Sequence, residues 1–181
     1  MIKYFHNNKT LSFVLVSTLA FILYITLILS RVSSCFTLEV GSNSLGLSFY
    51  YTKDMVQNFF EVRTEEQLFC YSDFLKIWDT IFAVVYTFMY ASWIAFLLKN
   101  KRIFLIIPIF AMICDWVENY IEILMLEIYL KSKLIPDTFV SLGSGINSFK
   151  WIFSTLTYLL ILLGIIIILI KFIKKPKLLN T

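Results

Sequence analysis

Ile103-Phe104-Leu105-Ile106-Ile107-Pro108-Ile109-Phe110-Ala111-Met112-Ile113-Cys114-Asp115-Trp116-Val117-Glu118-Asn119-Tyr120-Ile121-Glu122 is an aliphatic run with acids set into it, and it continues through Glu127 to Leu130. Its length and content predict a membrane-spanning helix, since about 20 apolar residues cross a hydrocarbon core of about 30 Å. Carboxylates in such a segment need partners, because one at mid-membrane costs about 2.5–3.5 kcal/mol on insertion scales. Positions 115, 118, 119 and 122 are related by three, four and seven, so Asp115, Glu118, Asn119 and Glu122 share one helical face. That face is expected to look into a bundle of helices and not at lipid.

The rest of the chain supplies the bundle. Hydrophobic residues make up 59% and aromatics 18% of it, with a mean hydropathy of +0.80, well above the roughly 45–50% apolar content of soluble domains. The 181 residues form a single membrane domain with predicted spans over 11–30, 78–98, 103–130 and 146–170. An outer loop of about 45–50 residues, 31–77, separates the first two spans. The expected fold is an all-α integral membrane four-helix bundle. Lys99-Asn100-Lys101-Arg102 is too short for anything but a helical hairpin between spans two and three.

Charge sets the expected orientation. Lys3, Lys9, Lys99, Lys101, Arg102, Lys171, Lys174, Lys175 and Lys177 lie in the tails and this link, and no acid accompanies them. Short basic loops stay in the cytoplasm, so both termini are expected there, with the protein in the inner (plasma) membrane. The net charge of +4 is then a matter of topology. No basic patch interleaved with stacking aromatics points to nucleic acid as a partner.

Several local signals refine this outline. Val32-Ser33-Ser34-Cys35 resembles a lipoprotein cleavage box, but the apolar run before it is 20 residues long, beyond an h-region of about 7–15, and Arg31 interrupts it; a retained first helix is expected. Asn8-Lys9-Thr10 matches a glycosylation sequon on the cytoplasmic side, where it has no use. In the outer loop, Phe36 to Val40 reads as extended and Gly41 to Gly46 as a turn cluster. Thr52 is expected to cap a short amphipathic helix with Met55, Val56, Phe59 and Phe60 on one face, lying on the membrane or capping the bundle. Thr64-Glu65-Glu66-Gln67 has capping-box spacing, and its helix is expected to run through Tyr71 and Phe74 into span two. Gly143-Ser144-Gly145 reads as a flexible lead into span four. Cys35 and Cys70 fall in the outer loop, where an oxidising compartment permits a disulfide and two free thiols are the alternative.

Depth brings the polar groups together. At about 1.5 Å per residue, Asp115 lies about 18 Å, Glu118 about 22 Å and Glu122 about 28 Å above the inner edge of span three. Asp79 and Lys150, counted back from the inner ends of spans two and four, fall at the same outer level. The candidate ligand-binding set is therefore Asp79, Tyr86, Tyr90, Asp115, Glu118, Asn119, Glu122 and Lys150. Other chemistry is absent: the lone His6 lies in a tail, so no His-based metal site or nucleophile dyad forms, and no phosphate loop or Cys-x-x-Cys occurs. No metal, cofactor or catalytic residue is assigned.

Tyr71, Asp79-Thr80-Ile81-Phe82 and Tyr86, then Pro108 with Asp115-x-x-Glu118-Asn119, then Phe149-Lys150-Trp151 are scattered single residues across 51–162. In these the chain resembles a family of small bacterial four-span membrane proteins whose third span carries Asp-x-x-Glu-Asn. The resemblance marks Asp79, Asp115, Glu118, Asn119 and Lys150 as motif positions and brings no activity with it. The layout is also loosely similar to the sterol-isomerase and sigma-2-receptor (EXPERA) group, four-span proteins with membrane-embedded carboxylates, although span one here holds no acid. The expected function is binding of a lipid or small amphipathic ligand in an acidic cavity of the outer half. The alternatives are a proton- or cation-coupled transport element, an accessory subunit docked on a partner membrane protein, and a lipid-directed enzyme.

Overall fold

A computed structural model describes residues 8–38, 44–98 and 101–174. His6, residues 39–43, residues 99–100 and the lysines at 175 and 177 lie outside the described residues. The helices longer than one turn are α1 Thr10–Cys35, α2 Lys53–Glu61, α3 Glu65–Leu97, α4 Arg102–Ser132 and α5 Asp137–Ile173. Four of them, α1, α3, α4 and α5, are long and apolar enough to cross a membrane, and no strand occurs among the described residues. The chain is an all-α membrane bundle.

Each spanning helix satisfies its own polar groups, as a lipid environment requires. In α1 the hydroxyls of Thr18 and Thr26 donate to the carbonyls of Val14 and Ile22, both at 2.8 Å. α1 lies along α3 through Ser17 Oγ and Ser92 Oγ, 2.7 Å apart, through Trp93 Nε1 donating to Thr18 Oγ1 at 3.0 Å, and through Phe21 and Tyr24 against Phe82. Both helices carry a π-helical turn, at Tyr24–Leu29 and Phe74–Asp79. The Tyr24 hydroxyl donates to the Trp78 carbonyl at 2.8 Å and ties these two loosened segments together.

One expected continuation is present, and one helix start and one buried face differ from those the sequence suggests. The helix that carries span two opens at Glu65, where both halves of the Thr64–Gln67 capping box form, so the helix expected there runs into the span as one rod. Span four does not start at 146 after a flexible hinge. α5 opens at Asp137, directly after Pro136, and runs straight through Gly143-Ser144-Gly145. Gly143 is there for proximity, since a Cβ at that position would overlap the Tyr51 hydroxyl. On α2, Thr52 caps as expected and accepts from Met55 N at 3.3 Å, but Met55 is exposed and only Val56, Phe59 and Phe60 are buried. Burial follows the i, i+3, i+4 stripe from Val56, and Met55 lies at its edge.

Two cores result. The larger one packs Phe36, Val56, Phe59, Phe60, Leu68 and Tyr71 over the Glu65 end of α3 and the Ser132 end of α4, so α2 caps the bundle. Phe59 and Phe60 meet Tyr71 and Tyr129 at ring-centroid distances of 4.8 and 5.2 Å. Cys35 and Cys70 form a disulfide that fastens the end of α1 to α3. Arg63 is buried, donating to the carbonyls of Phe36 (2.9 Å) and Phe59 (2.8 Å) with its guanidinium 3.6 Å over the Phe59 ring. The other core is smaller and holds Ala83, Tyr86, Met89, Tyr90 and Ala111. The polar residues of α4 lie between the two.

Candidate functional site

The helical phase of α4 dictates the arrangement. Asp115, Glu118, Asn119 and Glu122 are all buried, on one face, while Glu127, off that phase, is exposed. Lys150 of α5 enters between the acids. Its Nζ lies 2.5 Å from Glu118 Oε2 and 3.3 Å from Asp115 Oδ1. From α3, the Tyr86 hydroxyl donates to Asp115 Oδ2 at 3.0 Å, and Asp79, at the end of the π-helical turn, accepts from Asn119 Nδ2 at 2.9 Å. One turn further out, the Tyr71 hydroxyl donates to Glu122 Oε2. Asp79, Tyr86, Asp115, Glu118, Asn119, Glu122 and Lys150 therefore lie in a single linked cluster. Tyr90 does not join the acids: one turn nearer the other end of the bundle, it donates to the Tyr158 hydroxyl of α5 at 2.5 Å.

The loop between α1 and α2 roofs the cluster. Gly46, in a single 3-10 turn at Leu45–Leu47, sits so close that a Cβ there would lie 3.1 Å from both Glu118 Oε1 and Lys150 Nζ. Its carbonyl accepts from Lys150 Nζ and Trp151 Nε1, both at 3.1 Å. Further along, Asn147 Nδ2 donates to Ser48 O at 2.6 Å, Ser148 Oγ donates to Phe49 O at 3.1 Å, and Tyr51 N donates to Ser144 Oγ at 3.0 Å. The outer turns of α5 thus hold the loop backbone residue by residue, and this is what brings Gly46 and Tyr51 over the acids.

Gly46, Tyr51, Tyr71, Asn147 and Trp151 complete the site and were not in the expected set. Asn147 and Gly143 precede Lys150 by three and seven residues, a helical repeat that marks them as facing the same way. Gly46 and Tyr51 carry no periodic signal.

Four buried atoms in this region make no hydrogen bond among the described residues: Glu118 Oε1, Glu122 Oε1, Tyr51 OH and Asn147 Oδ1. Asn147 Oδ1 can only accept, and the two carboxyl oxygens accept when ionised. Burial, with Glu122 and Glu118 beside it, raises the Tyr51 phenol above its ordinary pKa and keeps it protonated. An open pocket of about 460 Å³ lies outside, lined by Tyr51, Thr52, Lys53, Asp137, Ser141 and Ser144, with Lys53 and Asp137 paired at 2.7 Å across its mouth. Tyr51 is the wall between this pocket and the acids.

The cluster can therefore receive donors. It holds four carboxyl groups against one ammonium, and its unbonded atoms are mostly oxygens that accept. Among the described residues no group of three or more His, Cys, Asp or Glu side chains is arranged to hold a metal ion. No protein-family model, curated protein or solved structure matches the chain, so the reading rests on this chemistry.

Proposed function

We propose that this membrane protein binds a lipid or other small amphipathic molecule whose cationic or donor-rich head enters the acidic cluster. Asp115 and Glu118 form the charged floor, Asn119, Tyr86 and Tyr51 orient the head, and Lys150 is the counter-charge. The observation that carries this reading is that Glu118 Oε1, Glu122 Oε1 and Asn147 Oδ1 are buried and accept no hydrogen bond among the described residues, with Tyr51 beside the two carboxyl groups. A buried polar atom left unbonded costs about 1–3 kcal/mol, and most buried polar groups in proteins are paired. A guest that brings N–H or O–H groups offsets that cost. The pocket outside Tyr51 supplies the route, and rotation of one phenol opens it.

The same reading places both ends in the cytoplasm of a cell with the protein in its plasma membrane. The basic tails and link support this, as does the disulfide at the opposite end, which an oxidising compartment favours.

A second reading has its own support. Lys150, Asn119, Tyr71 and Tyr86 tie α3, α4, α5 and the loop into one network, the work of an accessory subunit whose polar groups hold the bundle rigid for a partner. Native mass spectrometry in mild detergent, wild type beside D115N/E118Q, separates the two. The binding reading expects a discrete bound mass in the wild type that the variant loses. No adduct in either protein, together with a variant much less stable to heat, would sink it in favour of the structural reading.

A further inference from the structure

The opposite end of the bundle carries a second site, unconnected with the acids. Leu97 ends α3 and Arg102 opens α4, so the connection between them lies at a membrane boundary whichever way the chain is oriented. Here a groove of about 310 Å³ is lined by Ile94, Ala95, Leu98 and Leu105 on its apolar side, and by Lys101, Arg102 and the Thr10 hydroxyl of α1 at its rim. Both cations are exposed, and no carboxylate pairs with either among the described residues. Lys101 Nζ reaches no nearer than 5.9 Å to the Phe104 ring centroid. Two cations without a carboxylate partner and Thr10 flank the apolar residues where α3 ends and α4 begins. This combination matches a molecule with an anionic phosphate at one end and an acyl chain at the other.

We infer that this groove binds an anionic glycerophospholipid, its phosphate held between Lys101 and Arg102 and its first methylenes lying along Ala95, Leu98 and Leu105. A basic side chain near a membrane surface contributes about 1 kcal/mol to holding an anionic lipid. Charge alone would hold phosphatidylglycerol and free phosphate alike, and the apolar wall is what selects the lipid.

The test titrates the full-length protein in detergent with phosphatidylglycerol or phosphatidylcholine and reads bound lipid by native mass spectrometry. The wild type is expected to take phosphatidylglycerol in preference. K101Q and R102Q should each weaken that binding about fivefold, and the double variant about thirtyfold. A95F keeps both charges but fills the groove, and should lose the lipid. Inorganic phosphate at the lipid's concentration should displace nothing. Equal uptake of the two lipids, unchanged binding by K101Q/R102Q, or an A95F protein that behaves as wild type would each overturn the assignment. Displacement by inorganic phosphate would do so too, by showing a simple anion site. All three substituted side chains are exposed, and a thermal melt of each variant confirms that the fold is intact.

Discussion

Lys150 is the residue on which the cluster depends most. It answers two buried carboxylates and the Gly46 carbonyl at once, so K150M leaves two charges buried with no counter-charge. Breaking a buried pair on one side costs about 3–5 kcal/mol; the melting temperature in detergent should fall accordingly, and K150M/D115N/E118Q, which removes the stranded charges as well, should recover part of the loss. If K150M melts with the wild type, the ion pairs are not formed. Tyr71→Phe is a smaller test: it strips Glu122 of its hydroxyl donor and should cost about 1–3 kcal/mol. At this scale the sequence was legible wherever helical phase decides direction. The spacing 115, 118, 119, 122 sufficed for α4, and depth counting brought Asp79 and Lys150 to the same level. Tyr90 was placed with Tyr86 because they are one turn apart, yet that turn of about 5.4 Å carries it past the acids to Tyr158. Gly46 and Tyr51 were out of reach, because a loop residue reaches its site through tertiary contacts that leave no local pattern.

Among the elements, the outer end of α5 shows how a propensity signal was overridden. Gly143-Ser144-Gly145 reads as a hinge, and each glycine in a helix interior costs about 1 kcal/mol relative to alanine. Here the small and hydroxylated residues are the ones the loop needs: Gly143 admits the Tyr51 phenol, Ser144 accepts from Tyr51 N, and Ser148 and Asn147 bond the carbonyls of Phe49 and Ser48. Gly143→Leu should therefore favour the isolated helix and yet destabilise the protein, by expelling Tyr51 and lifting the loop from the acids. Limited proteolysis at Lys53 checks this, with faster cleavage in the variant expected. Equal cleavage rates would show that the loop does not depend on this contact. The α3 boundary was legible in part, because the Thr64–Gln67 capping box can be read directly from residue types. The run through Tyr71 and Phe74 into span two was legible as well, and the helix is continuous from Glu65 to Leu97; the π-helical turn at Phe74–Asp79, which brings Asp79 to Asn119, carries no pattern in the residue types.

For the molecule as a whole, the number of spans and the all-α class followed from apolar length, and charge asymmetry gave an orientation that can be tested apart from any ligand. The disulfide lies at the end of the bundle opposite the 99–102 link. Two placements are conceivable, and only one puts Cys35 and Cys70 in an oxidising space while keeping the basic link inside. In a Cys114→Ser background, which removes the one free thiol among the described residues, D54C and N100C report on the two ends. A membrane-impermeant maleimide applied to intact cells should label D54C on α2 and leave N100C untouched until the membrane is permeabilised. The reverse pattern would put the acidic cluster on the cytoplasmic side, and both the entry route past Tyr51 and the origin of its ligand would have to be reassigned. Reduction supplies the energetic counterpart: opening the bridge, which closes a sequence separation of 35 residues, should lower stability by about 2–4 kcal/mol. Because that bridge fixes the end of α1, from which the chain leads to the loop that roofs Glu118, to α3, reduced protein should also lose whatever mass the oxidised protein retains. Unchanged retention after reduction would mean that α5 alone holds the roof in place.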